Sequence, residues 1–176
     1  MRLVATILLL AGSGALYLYA KKASAIQGPT QEHSQDQSII ETGLNMIAKI
    51  TVPPIYAGII AEAEDAHGIP SGLLARLLWT ESRFREDIIS GKVKSSVGAL
   101  GIAQFMPATA MELGVDPLDP YQAIPGAARY LAKLYRSTGD WTEAVAAYNW
   151  GIGNVQRKGL SAAPQETLNY IKSIFG

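Results

Sequence analysis

The sequence predicts a mainly α-helical protein. Apolar residues recur at spacings of three and four in several segments, and no segment of any length alternates between apolar and polar residues as a strand would. Proline stands near the start of several of these segments and glycine directly after them, a pattern typical of helix ends. With 48% hydrophobic residues in a chain of 176, a well-packed core is expected.

The N-terminal segment is long, apolar and free of charge. Residues 3–20 read LVATILLLAGSGALYLYA, and 18 helical residues would span ~27 Å, close to the ~30 Å hydrocarbon core of a bilayer. We favour a single-span membrane anchor over 1–25. A signal peptide cleaved at Ala23-Ser24-Ala25 is one alternative, although Lys21 and Lys22 just upstream argue against cleavage. A buried helix of a soluble domain is the other.

A polar linker and a leading helix are expected next. Residues 26–38, IQGPTQEHSQDQS, are polar and rich in glutamine. An amphipathic helix is predicted to follow within 39–53, ending at Pro53-Pro54. The remainder, 54–176, is predicted to form the functional domain.

Six helices are predicted within this domain from apolar spacing and from the residues at the helix ends. Ser71 and Asp140 are expected as N-caps. Gly68, Gly114 and Gly139 are expected to end helices. The predicted helices cover 55–66, 72–84, 107–114, 120–135, 141–150 and 164–175, with a loop over 87–100.

Composition excludes several classes of function. The chain has no cysteine, so disulfides and thiol chemistry are excluded, and His33 and His67 lack the spacing of metal ligands. We therefore expect no metal and no cofactor. Fifteen basic residues balance fifteen acidic ones, so no basic face of the size that nucleic acid requires is expected.

Glu81 is the acidic residue that the helical pattern makes unusual. It lies four residues after Leu77, three after Leu78 and three before Phe84, which places a carboxyl group in an apolar stripe. Burial would raise the pKa of that carboxyl, and a protonated carboxyl near neutral pH can serve as a general acid. From the helix alone, the favoured alternative is a core glutamate in a salt bridge with Arg76, Arg83 or Arg85.

Two later motifs change this balance. Residues 98–107 read GALGIAQFMP, where Gln104 offers both a donor and an acceptor to a sugar. Residues 146–153 read AAYNWGIG, with Tyr148 and Asn149 at a predicted helix end. Taken alone, the first motif is more simply explained as a glycine-rich turn that leads into a helix. The second is more simply explained as a core tyrosine followed by an asparagine that caps the helix.

Taken together and in this order, the three motifs resemble the catalytic domain of the soluble lytic transglycosylase family. That family has a helical fold like goose-type lysozyme, and the resemblance covers about 56–175. The end of the chain, residues 166–171, also looks like the family's closing motif. One departure is Ala103, which stands where methionine is usual, and we expect it to alter the shape of the groove more than the chemistry.

The resemblance implies a cut in the β-1,4 bond between N-acetylmuramic acid and N-acetylglucosamine of peptidoglycan, leaving a 1,6-anhydro ring. By resemblance, Glu81 protonates the leaving oxygen and then takes a proton from the sugar's own 6-hydroxyl. Tyr148 is the expected hydrogen-bond partner of Glu81. The expected ligand contacts are Ser82, Gln104 and Asn149, with Glu166 and Tyr170 as further groove residues.

Two other functions stay open at this point. A lysozyme-like hydrolase would need a second carboxylate, but Glu86 and Asp87 are expected to be surface charges. A structural or assembly component with an inactive glycan-binding domain is the other alternative. The expected partners are peptidoglycan strands, a membrane through 1–25, and an envelope-crossing machine for secretion, conjugation or phage DNA entry. The expected place is the cell envelope, with the chain anchored to a membrane, exported to the periplasm or associated with a virion.

Overall fold

The computed structural model describes residues 50–176, and this part of the chain is built from helices. Within it, the only β pairing is a single bridge between Leu100 and Phe105. The prediction of a mainly helical domain is therefore confirmed. The helices are α1 Pro54–His67, α2 Leu73–Ser82, α3 Glu86–Ile89, α4 Pro107–Leu113, α5 Pro120–Thr138, α6 Trp141–Trp150, α7 Ile152–Lys158 and α8 Gln165–Phe175, with a 3-10 turn at Leu160–Ala162.

The predicted anchor, 1–25, and linker, 26–38, lie outside the described residues, as does most of the leading helix predicted within 39–53. Residues 50–53 are described, and they are not helical. Among residues 50–176, no helix has both the length and the apolar character needed to cross a membrane.

The core forms where α5 packs against α1 and α6, and where α8 packs against α2 and α6. Helix α6 contributes four consecutive buried small residues, from Ala144 to Ala147, which allow its neighbours to approach closely. Helix α2 is buried on most of its surface, because Leu73, Leu74, Leu77 and Leu78 have no exposed area. Each such side chain contributes roughly 2 kcal/mol to folding, so α2 is firmly embedded.

The helices differ from prediction at two ends and by two additional short helices; one of the ends is that of α5, which extends to Thr138 and not to 135. Helix α2 ends at Ser82 and not at 84, because Arg83 and Phe84 have φ angles of 53° and 52°, which no α-helix allows. A one-turn helix, α3, stands at the start of the predicted loop over 87–100. Helix α7 was not predicted: Gly151 ends α6 as expected, but a new helix begins directly at Ile152.

One predicted cap is confirmed and one is wrong. The Asp140 carboxylate accepts a hydrogen bond from the backbone N–H of Glu143 at 2.9 Å, so Asp140 caps α6 as expected. Ser71 does not cap α2. The N-cap position belongs to Gly72, and the carboxylate that accepts from the first amides of α2 comes from Glu64 on α1.

Candidate active site

Glu81 lies in the last turn of α2, one residue before the helix ends. Burial raises the pKa of its carboxyl from the usual 4.5 to about 7, and a hydrogen bond from Tyr170 opposes that rise. The negative end of the helix dipole also disfavours a charge at this position. The side chain nevertheless keeps some accessible surface. The structure thus provides a carboxyl group whose pKa is raised toward neutral pH, in a residue that is not fully buried.

Tyr170 of α8 is the hydrogen-bond partner of Glu81. Its hydroxyl donates to Oε1 of the carboxyl group. Burial and the Glu81 charge raise the pKa of Tyr170 well above its usual value, so the hydroxyl stays neutral and remains a donor. The sequence had assigned this bond to Tyr148, and that assignment is wrong. Tyr170, expected as a general groove residue, contacts the central carboxyl group directly.

Tyr148 instead joins α6 to the glycine-rich loop. Its hydroxyl donates to the backbone carbonyl of Ala103 at 3.0 Å, and its ring packs against Tyr130 and Phe105. Burial and the nearby Glu81 charge raise the pKa of Tyr148 well above its usual value. Tyr148 therefore lies beside the site and fixes the loop against it.

The loop itself is a tight turn closed by two backbone hydrogen bonds of 3.0 Å between Leu100 and Phe105. Gly101 is required there: its φ is 73°, and a Cβ atom would lie 1.7 Å from the carbonyl oxygen of Pro117. Gln104 also has a positive φ, 46°. Its side-chain amide donates to the Gly101 carbonyl at 2.8 Å, so part of its hydrogen-bonding capacity holds the turn.

Ser82 does not face a ligand. It has no exposed surface, its hydroxyl donates to the Leu78 carbonyl at 3.1 Å, and it accepts from the Phe84 amide at 3.3 Å. The expected ligand contact is therefore replaced by a structural one. Ser82 holds the chain reversal that follows Glu81.

Asn149 and Glu166 are both exposed. The Asn149 carbonyl oxygen accepts from the buried Thr167 hydroxyl at 2.8 Å, which leaves the amide nitrogen available as a donor. No motif in the sequence indicated this role for Thr167. Glu166 lies in the first turn of α8, one turn before Tyr170.

The salt-bridge alternative for Glu81 loses its support. Arg85 pairs with Asp87 at 2.6 Å, the Arg83 guanidinium stacks on Trp79 at 3.5 Å, and Arg76 interacts with Glu64. Glu86 is exposed and the Asp87 carboxylate is engaged by Arg85, as expected for surface charges. Across residues 50–176, no three acidic or histidine side chains are grouped as a metal ion would require.

The raised pKa of Glu81 makes the stability of the fold depend on pH. The unfolded chain loses this proton near pH 4.5 and the folded chain near 7, so the stabilisation is complete below 4.5 and is lost as the pH rises through 7. We expect the free energy of unfolding to fall by up to about 3 kcal/mol between pH 4 and 8 from this group. Urea denaturation at both pH values measures it, and Glu81→Gln should lose less stability than the wild type over the same interval. Equal losses would contradict the assignment.

Comparison with known proteins places this arrangement in a family. The family model of the transglycosylase SLT domain matches residues 58–171. The peptidoglycan transglycosylase gp16 of Escherichia phage T7 is 37% identical over 140 residues, which cover 70% of this chain and 10% of that protein. The transglycosylase of Enterobacteria phage PRD1 is 33% identical over 119 residues, covering 66% of this chain and 43% of that protein.

A bacterial relative gives a similar match. The membrane-bound lytic murein transglycosylase F 1 of Alkalilimnicola ehrlichii is 35% identical over 111 residues, covering 58% of this chain and 22% of that protein. The chain thus matches less than half of the length of each of these three relatives. Since the family model covers most of the described helices, including those that carry Glu81, Tyr148 and Tyr170, the chain belongs to the transglycosylase SLT domain family.

Proposed function

We propose that this protein is a peptidoglycan lytic transglycosylase that cuts the β-1,4 bond between N-acetylmuramic acid and N-acetylglucosamine. The observation that carries the proposal is the environment of Glu81: a buried carboxyl group with a pKa of about 7 and a tyrosine hydroxyl as its hydrogen-bond donor. Among the described residues, no second carboxylate contributes to its pKa. One carboxyl group alone suits a reaction in which the same group acts as acid and then as base.

The chemistry follows from that single group. Protonated Glu81 donates its proton to the glycosidic oxygen, and the bond from that oxygen to C1 of the muramic acid breaks. The resulting carboxylate then takes the proton from the 6-hydroxyl of the same sugar, and O6 bonds to C1 to give the 1,6-anhydro ring. Glu81 ends protonated and ready for another cycle, so water is not consumed. A hydrolase of the usual kind would need a second carboxylate roughly 5–10 Å away.

Sugar contacts are assigned to the groups that remain exposed around this centre. The Asn149 amide nitrogen is available as a donor because Thr167 engages its oxygen, and it suits the carbonyl of an N-acetyl group. The side chain of Gln104 is partly exposed, with its nitrogen engaged by Gly101, so its oxygen is available to accept from a sugar hydroxyl. Glu166, one turn before Tyr170 on α8, is assigned as a more distant groove residue.

The proposal is tested by digesting purified sacculi with the wild-type protein and identifying the soluble products by mass spectrometry. A cut in the glycan strand releases muropeptides that keep their stem peptides attached to a disaccharide. Free peptides with uncut glycan would mean that the protein attacks a different bond. Intact sacculi would favour the alternative of an inactive glycan-binding component.

Removing the Tyr170 hydroxyl should weaken catalysis and shift its pH dependence. The hydrogen bond from Tyr170 lowers the pKa of Glu81, so Tyr170→Phe should raise that pKa above about 7. We expect kcat to fall by about 10- to 100-fold, because general acid–base catalysis depends on a matched and well-oriented group, and the basic limb of the pH profile to move upward.

Tyr135→Phe is the matched control, because Tyr135 stacks on Trp141 with ring centroids 4.0 Å apart and is not among the groups that shift the pKa of Glu81. It should leave both kcat and the pH profile unchanged. An unchanged pH profile for Tyr170→Phe would show that its hydroxyl does not tune Glu81.

We further propose that the protein opens the cell wall locally for an envelope-crossing assembly, with residues 1–25 as its membrane anchor. Two of the relatives are phage proteins, and a third carries "membrane-bound" in its name. The charge-free run over 3–20 supports the anchor. Expression of the full chain should place it in the membrane fraction, whereas a chain lacking 1–25 should be released. Equal release of both would contradict the anchor.

A further inference from the structure

Glu64 is a buried acidic residue that the proposed chemistry does not use. It lies in the last turns of α1 and is 6% exposed. Its carboxylate accepts three backbone hydrogen bonds from the start of α2: Gly72 donates to Oε2 at 2.8 Å, and Leu74 and Ala75 donate to Oε1 at 2.9 and 3.4 Å. The carboxylate therefore joins α1 to the first turn of α2.

The start of α2 needs this partner because its own cap position cannot supply one. The first amides of a helix have no acceptor within the helix. Gly72, at the N-cap position, has no side chain, and no side-chain cap bond comes from it. The negative charge of Glu64 also favours the positive end of the helix dipole. Burial raises the pKa of the Glu64 carboxyl to about 7, whereas the hydrogen bonds from Gly72, Ala75 and Leu74 and the charge of the buried Arg76, one turn further along α2, lower it.

Glu64 contacts the opposite end of α2 from Glu81, so it lies far from the bond that is cut. Glu81 lies nine residues after Gly72, which corresponds to ~14 Å along a helix axis. Glu64 is therefore placed too far away to touch a sugar bound at Glu81. It can act only through the position of α2.

The far end of α2 is held just as specifically. Tyr170 donates to Glu81, and the Thr80 hydroxyl lies 3.4 Å from the hydroxyl of Ser173. Both partners belong to α8. A ten-residue helix fixed to α1 at one end and to α8 at the other has little freedom to slide or rotate, so a change at its start alters the placement of Glu81 at its end.

We propose that Glu64 is a positioning residue for Glu81: by binding the first amides of α2 it sets the axial position of that helix and thereby the contact between Glu81 and Tyr170. This inference rests on the proposed function of Glu81. It predicts that a change at Glu64 alters the reaction step and leaves substrate affinity unchanged.

Glu64→Gln is the test, since it keeps the size of the side chain. One oxygen remains to accept from α2, but the amide NH₂ then faces an N–H donor, and the charge opposite Arg76 is lost. We expect kcat to fall at least 10-fold with KM within 2-fold of the wild type, measured on soluble glycan strands. The basic limb of the pH profile should also move upward, because a weaker bond from Tyr170 no longer lowers the pKa of Glu81.

Glu62→Gln is the matched control, because Glu62 lies on the same helix and is exposed. It should leave kcat, KM and the pH profile unchanged. A Glu64→Gln protein that is less stable yet keeps the wild-type kcat and pH profile at temperatures where it is fully folded would overturn the inference, leaving Glu64 a purely structural residue.

If Glu64→Gln is partly unfolded, the same assay is run in an osmolyte such as sucrose or trimethylamine N-oxide, which favours the compact state. If the osmolyte restores the folding of Glu64→Gln but not its kcat, the positioning role is supported. If kcat recovers fully together with folding, the positioning role is overturned. The wild type in the same assay separates the two proposals. Without wild-type cleavage the proposed function itself fails, whereas an active wild type with an equally active Glu64→Gln removes only the inference about Glu64.

Discussion

Glu81→Gln should lower kcat for peptidoglycan cleavage by about 1,000-fold or more. A glutamine side chain can neither donate the proton to the leaving oxygen nor accept one from the 6-hydroxyl, so both proton transfers are lost. General acid–base catalysis contributes about 10²–10⁴-fold for a positioned group, and here one group serves two transfers. The measurement is the initial rate of muropeptide release from sacculi.

The fold should survive this substitution. Since burial makes the ionised form of Glu81 unfavourable in the folded state, the neutral glutamine should be tolerated, and the circular dichroism spectrum should be unchanged. Glu86→Gln is a matched control, because Glu86 is an exposed carboxylate five residues further along the chain, and it should retain the wild-type rate. A Glu81→Gln protein with a tenth or more of the wild-type rate would contradict the assignment of Glu81.

Gly101→Ala should strongly destabilise the protein and inactivate it. The new Cβ atom would lie 1.7 Å from the carbonyl oxygen of Pro117, which belongs to the backbone and cannot rotate away. Overpacking of this kind costs about 1–3 kcal/mol or more, and alanine at a φ of 73° adds roughly another 1 kcal/mol. The displaced turn would also lose the bond from Gln104 and shift the Ala103 carbonyl that Tyr148 binds.

The variant Gly98→Ala separates the cost of overpacking from the cost of placing alanine at a positive φ. Gly98 lies near the same turn with a φ of 84°, but no atom lies within 4 Å of the position its Cβ would take. It should therefore show the backbone cost alone, about 1 kcal/mol. Urea denaturation of both variants gives the comparison. Equal losses of unfolding free energy would show that Gly101 is not in close contact with Pro117.

The helices were predictable because their boundaries are local. Pro107 and Pro120 start helices and Gly68, Gly114 and Gly139 end them, so each boundary is set by residues adjacent to it. Helix α7 was missed because it is only seven residues long and follows α6 after a single glycine. The cap of α2 was missed for the opposite reason: Glu64 reaches it across eight residues of chain, and no local pattern marks such a contact.

The candidate site was predictable in composition more than in geometry. Glu81 stood out because it interrupts an apolar stripe, and its burial agrees with that pattern. Which tyrosine reaches it depends on how α6 and α8 pack on α2, and the sequence does not specify that packing. The hydrogen bond to Glu81 that was expected from Tyr148 is therefore made by Tyr170. The role of Ser82 was mispredicted because its hydroxyl is used within the fold: it donates to the Leu78 carbonyl and accepts from the Phe84 amide.

The central claim is that Glu81 acts alone, first as acid and then as base, without water entering the bond that is cut. It is tested most directly by digesting sacculi with the wild-type protein in heavy-oxygen water and analysing the new muramic acid ends by mass spectrometry. The account predicts 1,6-anhydro ends that carry no heavy oxygen. Reducing ends that carry it would contradict the account and show that the protein is a hydrolase.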